Sequence, residues 1–143
     1  MTETAYVPDL TTRIVVVDDD ASMRETLRWA FTESGISNLA FACNGQEGLE
    51  LILEDHSVGL IITDRTMPKM NGDEMVTQIR QFRPNLSQPA IIMVSSDIDS
   101  PDWPIPPAGI NALLKKPLDL ELFLLLVKYW LPYKRVLAVA VGE

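Results

Sequence analysis

Hydrophobic and polar positions change rhythm repeatedly along this chain. Ile14 to Val17 is a β-branched run too short for a helix, and it gives way after Asp18–Asp20 to Met23, Leu27, Ala30 and Phe31 at helical spacing. Gly35 then stops the helix. Leu39 to Cys43 predicts a second strand, and Asn44 with Glu47 predicts a capped start for a helix carrying Leu49, Ile52 and Leu53. Val58 to Thr63 is apolar without alternation, which predicts a central strand buried on both faces. Asn71 with Glu74 opens a third helix through Met75, Ile79 and Phe82, closed before Pro84. Ala90 to Val94 and Ala112 to Lys115 complete the strands, and a last helix runs from about Asp119 to Leu131.

Strand and helix in turn predict an α/β fold with a parallel sheet, right-handed crossovers and a site at the carboxyl edge. The rhythm fails at 100–108, where Pro101, Pro104, Pro106 and Pro107 exclude the interior of a regular helix. The fourth helix is therefore expected to be short, displaced or missing. Trp103 in that stretch is expected to plug the core or anchor a partner. Residues 1–12 follow neither period and predict an N-terminal tail. Residues 13–131 form the expected domain, and 132–143 a C-terminal tail or the start of a linker.

A chain of 143 residues with 47% apolar content supports one core. Its formal charge of -8 argues against tracking nucleic acid or an anionic membrane through this domain, and favours proteins or a cation as partners. The single cysteine, Cys43, cannot pair internally, and its neighbours Phe41 and Ala42 predict a packed thiol. With no signal-peptide pattern and no apolar run near the ~18 residues that span a bilayer, a cytoplasmic location is expected. His56 is expected at the surface, and Met67, Met70, Met75 and Met93 in packing rather than at a cofactor.

The chemistry lies at the strand ends. Asp18, Asp19 and Asp64, with Ser95 and Lys116, should meet at one edge of the sheet. Each close carboxylate pair at ~4 Å repels by roughly 4 kcal/mol at an effective dielectric of ~20, so the cluster needs a cation or must hold protons. Oxygen-only ligands point to Mg²⁺, and no His or Cys pair offers a zinc site. A phosphoryl group on Asp64 would have one oxygen on the metal, one on the Lys116 ammonium and one on the Ser95 hydroxyl. Asp20 is expected merely to cap the first helix.

The segments VVVDDD, IITDRTMPKMNG, IIMVSS and KKP, in that order from about Arg13 to Leu131, resemble the response-regulator receiver domains of two-component signalling. The resemblance implies a flavodoxin-like, doubly wound five-stranded parallel sheet of order 2-1-3-4-5. It implies that Asp64 takes phosphate from a histidine kinase or histidine phosphotransfer protein. Asp18, Asp19, Asp64 and the backbone carbonyl of Thr66 would hold Mg²⁺, Ser95 and Lys116 would engage the phosphoryl group, and Lys116–Pro117 would be cis. Arg65, Thr66, Ser96 and Asp97 would tune phosphate lifetime and partner choice. Self-directed phosphotransfer and autodephosphorylation are expected, not turnover of a separate substrate.

Two features depart from that family. The position three before Lys116, where receivers commonly carry a rotating aromatic, is Leu113, and the proline-rich stretch replaces the fourth helix. They keep open a constitutive dimerisation or interaction module. An aspartyl phosphatase is disfavoured, because Thr66 stands where that chemistry wants a second acid. The last helix is apolar nearly all round, which predicts cover on its outer side by a second subunit, by 136–141 or by another domain; a homodimer is the preferred expectation, with output through a downstream protein target.

Overall fold

The computed structural model describes residues 2–85, 88–96 and 108–139. Five strands form a parallel sheet: β2 (Arg13–Val17), β3 (Leu39–Ala42), β4 (Val58–Asp64), β5 (Ala90–Ser95) and β6 (Ala112–Lys115), in the order β3-β2-β4-β5-β6. Numbered within this sheet alone, the order is the expected 2-1-3-4-5.

Side chains alternate between faces along a strand, so a strand covered on both sides must be apolar throughout. In β2 that is what Ile14, Val15, Val16 and Val17 are, all fully buried. Val15, Val17, Ile61, Ile91 and Met93 face α2 (Gly45–Glu54) and α3 (Gly72–Phe82), meeting Leu49, Ile52, Met75, Val76 and Ile79. Ile14, Val16, Leu60, Ile62 and Ile92 face α1 (Ala21–Glu33) and α4 (Leu120–Trp130), meeting Leu27, Phe31, Phe123 and Val127. Each fully buried Val, Leu, Ile, Phe or Met side chain adds on the order of 2 kcal/mol relative to exposure. Phe31 and Phe123 lock α1 to α4 edge to face, with centroids 5.6 Å apart.

The helix starts follow the sequence signals. Asp20 accepts from the Ser22 amide, Asn44 from Glu47, Asn71 from Glu74, and Asp119 from Glu121 and Leu122. Gly35 adopts φ +80 just beyond α1, a conformation that glycine takes without steric cost. The four methionines expected in packing are buried, and His56 is exposed.

Two expectations change. The ends at 1–12 and 132–143 are not featureless tails: β1 (Thr2–Pro8) and β7 (Tyr133–Val139) pair antiparallel from Thr2↔Val139 to Pro8↔Tyr133. Neither strand shows a clean apolar alternation, and each finds its partner about the whole chain away. Cys43 is exposed, not packed, because it follows Ala42, which takes the buried side as β3 ends. Of the covers expected for the outer side of α4, the terminal strand leaves Leu122, Leu125 and Tyr129 45%, 66% and 65% exposed, and the preferred one, a second subunit, is untouched by this. The expectations for the fourth crossover helix and for Trp103 fall on 97–107, outside the described residues. Among the described residues there are four α-helices, none long and apolar enough to cross a membrane.

Candidate functional site

The carboxyl ends of the four strands β2, β4, β5 and β6 bring the expected residues together. Asp18 directly follows β2; its amide bonds the Ala42 carbonyl at 3.1 Å, its Oδ1 accepts from the Asp20 amide at 2.9 Å, and its carbonyl accepts from Arg24 Nη1 at 2.6 Å. Asp64 is the last residue of β4 and pairs with Val94 across the sheet. The Arg65 amide donates to Asp64 Oδ1 at 2.8 Å, which holds that carboxylate edge against the backbone. Ser95 lies buried one step beyond Val94, opposite Lys115, and its carbonyl accepts from the Lys116 amide at 3.0 Å. Lys116 is thereby turned inward while Lys115 is exposed. The Lys116–Pro117 peptide is cis.

Carboxylate oxygens of Asp18, Asp19 and Asp64 lie within 4.8 Å of one another. The Lys116 ammonium is 3.3 Å from Asp64 Oδ2 and 3.6 Å from Asp18 Oδ2. One ammonium thus faces two carboxylates of a three-carboxylate cluster, both of them largely withdrawn from water. Burial first, then the charge of Asp18, raises the pKa of Asp64 from 3.8 to about 6, against the opposing pull of Lys116. Asp18 is also raised, chiefly by burial. Burial acts to lower the Lys116 pKa, but the two carboxylates outweigh it and the net shift is upward. A pocket of three oxygen donors with surplus negative charge and one exposed member, Asp19, suits a hard divalent cation that keeps several waters. Mg²⁺ meets that description, and Asp18, Asp19 and Asp64 are the residues that would hold it. Thr66 is exposed in the loop two residues beyond Asp64.

The loop from β4 to α3 is built against this site more tightly than its sequence suggests. Gly72 donates to the Arg65 carbonyl at 2.7 Å, and a Cβ there would overlap the carbonyl oxygen of Asp64. Gly45 plays the same part beside the Met70 carbonyl. Lys69 adopts φ 66, a left-handed conformation uncommon for a residue with a side chain. Arg65, expected only to tune the site, is fully buried; its Nη2 lies 3.1 Å from Asp73 Oδ2, with Nε 3.1 Å from Oδ1. This fork ties the residue after the acceptor to the first turn of α3. Sequence reasoning missed it, and also missed Arg24 on the Asp18 carbonyl, because charge normally argues for exposure. The hint was an arginine at the end of an otherwise apolar strand.

Residues 14–128 match the model of the response regulator receiver domain family, and the chain belongs to that family. The chain is 30% identical over 105 residues to the chemotaxis protein CheY homolog of Campylobacter jejuni, covering 73% of this chain and 81% of that one. Among solved structures it is similar to a response regulator receiver protein from Pseudomonas putida, at 30% identity and a TM-score of 0.68, covering 83% and 97%. The fold is also that of the receiver domain of the Saccharomyces cerevisiae response regulator Ssk1, solved with the histidine phosphotransfer protein Ypd1. That likeness has a TM-score of 0.70 at 22% identity and covers 87% of this chain and 90% of that one. A receiver of this kind places the chain in phosphorylation-dependent signalling.

Proposed function

We propose that the protein is a signalling switch in which Asp64 accepts a phosphoryl group from the phosphohistidine of a histidine kinase or histidine phosphotransfer protein. The P–N bond to the donor imidazole breaks as a P–O bond to the Asp64 carboxylate forms, and hydrolysis later returns the carboxylate and phosphate. Mg²⁺ on Asp18, Asp19, Asp64 and the Thr66 carbonyl would neutralise developing charge. Ser95 and Lys116 would take phosphoryl oxygens, so the chain's work is positioning and neutralisation. The observation that carries this reading is the Asp64 carboxylate at a strand end, 3.3 Å from the Lys116 ammonium and inside a three-carboxylate cluster. Its chemistry is self-directed, with output in the cytoplasm through a downstream protein target or a homodimer formed on Leu122, Leu125 and Tyr129.

The test is direct. Incubation with Mg²⁺ and acetyl phosphate should add one phosphoryl mass, absent from Asp64→Asn, and beryllofluoride should change the oligomeric state or shape of the wild type. An equal adduct on Asp64→Asn sinks the proposal. A second reading, a constitutive interaction module, is favoured by Leu113, which is half-buried against the core cluster of α2 and α3 and has no ring to rotate. It predicts an adduct with no change in assembly.

A further inference from the structure

The opposite edge of the sheet, where β4, β5 and β6 begin, holds a cavity of about 480 Å³ lined by Gly59, Arg80, Gln88, Pro89, Asn111 and Trp130. Arg80 reaches into it from α3. Its Nε donates to the Gly109 carbonyl at 2.9 Å, Nη1 to Gln88 Oε1 at 2.9 Å and the Pro89 carbonyl at 2.7 Å, and Nη2 to Asn111 Oδ1 at 3.2 Å. Every acceptor is neutral. No carboxylate among the described residues pairs with this guanidinium; burial lowers its pKa, and the charge of Arg83 acts in the same direction. In a chain of net charge -8, Arg80 thus stands without an ion-pair partner among the described residues.

The hydrogen-bond inventory adds a second constraint. Asn111 Oδ1 also accepts from the Ile91 amide at 2.8 Å, so the side chain is pinned with its oxygen inward and Nδ2 left to donate. Gln88 Oε1 accepts from Arg80, and Gln88 Nε2 donates to the Arg83 carbonyl at 2.9 Å and the Arg80 carbonyl at 3.4 Å. Arginine has five N–H groups and four are used, which leaves one on Nη2. Asn111 Oδ1 is therefore full and Gln88 Oε1 keeps one lone pair, while donors remain on Arg80 Nη2 and Asn111 Nδ2. A purely structural clamp accounts for the four bonds. It does not account for a cation without a counter-charge beside unspent donors.

We propose that this cavity binds a small organic carboxylate, its two oxygens accepting from Arg80 Nη2 and Asn111 Nδ2 and its apolar body lying against Trp130 and Pro89. Two remaining donor nitrogens, Arg80 Nη2 with one free N–H and Asn111 Nδ2 with two, match the two oxygens of one carboxylate. The volume lies within the range of small-molecule sites, roughly 300–1,000 Å³. The Asp64 cluster lies at the other end of these strands, so the site is independent of phosphoryl transfer.

Benzoate is the probe, titrated without Mg²⁺ while the Asn111 side-chain amide and Trp130 indole resonances are followed by NMR. Saturable shifts of both are expected, with benzyl alcohol, the neutral counterpart, weaker by about tenfold or more. Asn111→Asp keeps an acceptor for the Ile91 amide and gives Arg80 a carboxylate, so it should stay folded and bind benzoate about tenfold more weakly or worse. Asp64→Asn should bind as the wild type does. No saturable shift up to about 50 mM benzoate, equal binding of benzyl alcohol, or undiminished binding by Asn111→Asp overturns the proposal. Tighter binding of inorganic phosphate than of benzoate at these resonances overturns the carboxylate assignment.

Discussion

The Lys116 ammonium lies 3.3 Å from Asp64 Oδ2, yet it does not fully compensate the carboxylate it faces. Asp64 ionises with a pKa of about 6 in place of 3.8, because burial and the Asp18 charge outweigh the ammonium. The folded state thus binds a proton more tightly than the unfolded chain does. Stability from this group is complete below pH 3.8 and is lost as pH rises through about 6. In EDTA, urea denaturation should show the wild type losing about 2–3 kcal/mol across that window, solvent screening trimming the full value. Asp64→Asn should flatten the loss and be the more stable protein at pH 8; if it is less stable there, the carboxylate is not under strain.

Mg²⁺ should reverse this penalty. A cation at about ten times its dissociation constant stabilises the fold by about 1.4 kcal/mol, or roughly 4 °C in Tm for a chain of this size. The metal competes with protons for Asp18 and Asp64, so the Tm gain should shrink as pH falls through about 6. It should vanish in a double variant carrying Asp18→Asn and Asp64→Asn. Lys116→Ala removes the resident positive charge, so it should tighten Mg²⁺ while weakening retention of the phosphoryl group. Calorimetric titration separates these effects, and unchanged Mg²⁺ affinity in Lys116→Ala would count against the electrostatic account.

The sheet and most helices were legible because their signals are local: the β-branched runs at Ile14–Val17 and Val58–Thr63, and the Asn44 and Asn71 caps. The site residues were legible for the same reason, each being the polar residue that ends or follows an apolar run. What escaped depends on distant partners. Thr2–Pro8 becomes a strand by pairing with Tyr133–Val139, and the burial of Arg65 goes with its ion pair to Asp73, eight residues on. For Cys43, apolar neighbours misled, since in an extended segment adjacent residues face opposite ways.

Gly72→Ala should distort the site without touching any charged group. The added Cβ would overlap the Asp64 carbonyl oxygen and stand 3.2 Å from the Arg65 Cα, and neither backbone atom can move without shifting the end of β4. A cost of about 2 kcal/mol or more is expected from overpacking of this kind, read from the urea midpoint. Phosphorylation by acetyl phosphate should slow with it. Gly35→Ala, which meets only the flexible Leu10 side chain at 3.9 Å but carries φ +80, should cost about 1 kcal/mol and leave phosphorylation unchanged.

The Arg65–Asp73 pair should behave asymmetrically. Arg65 is wholly buried, whereas the Asp73 side chain is 30% exposed, so losing the carboxylate removes a counter-charge from a buried guanidinium, and losing the arginine leaves negative charge near water. Asp73→Ala should therefore cost about 2–3 kcal/mol, and Arg65→Met, which fills much of the same space with apolar atoms, distinctly less. The double variant should sit close to Arg65→Met, since the methionine no longer needs the carboxylate. Because this pair joins the residue after Asp64 to the start of α3, Asp73→Ala should also slow acyl phosphate formation relative to Arg65→Met. Equal destabilisation by the two single changes, with additive behaviour in the double, would mean the ion pair does not couple the acceptor loop to the helix.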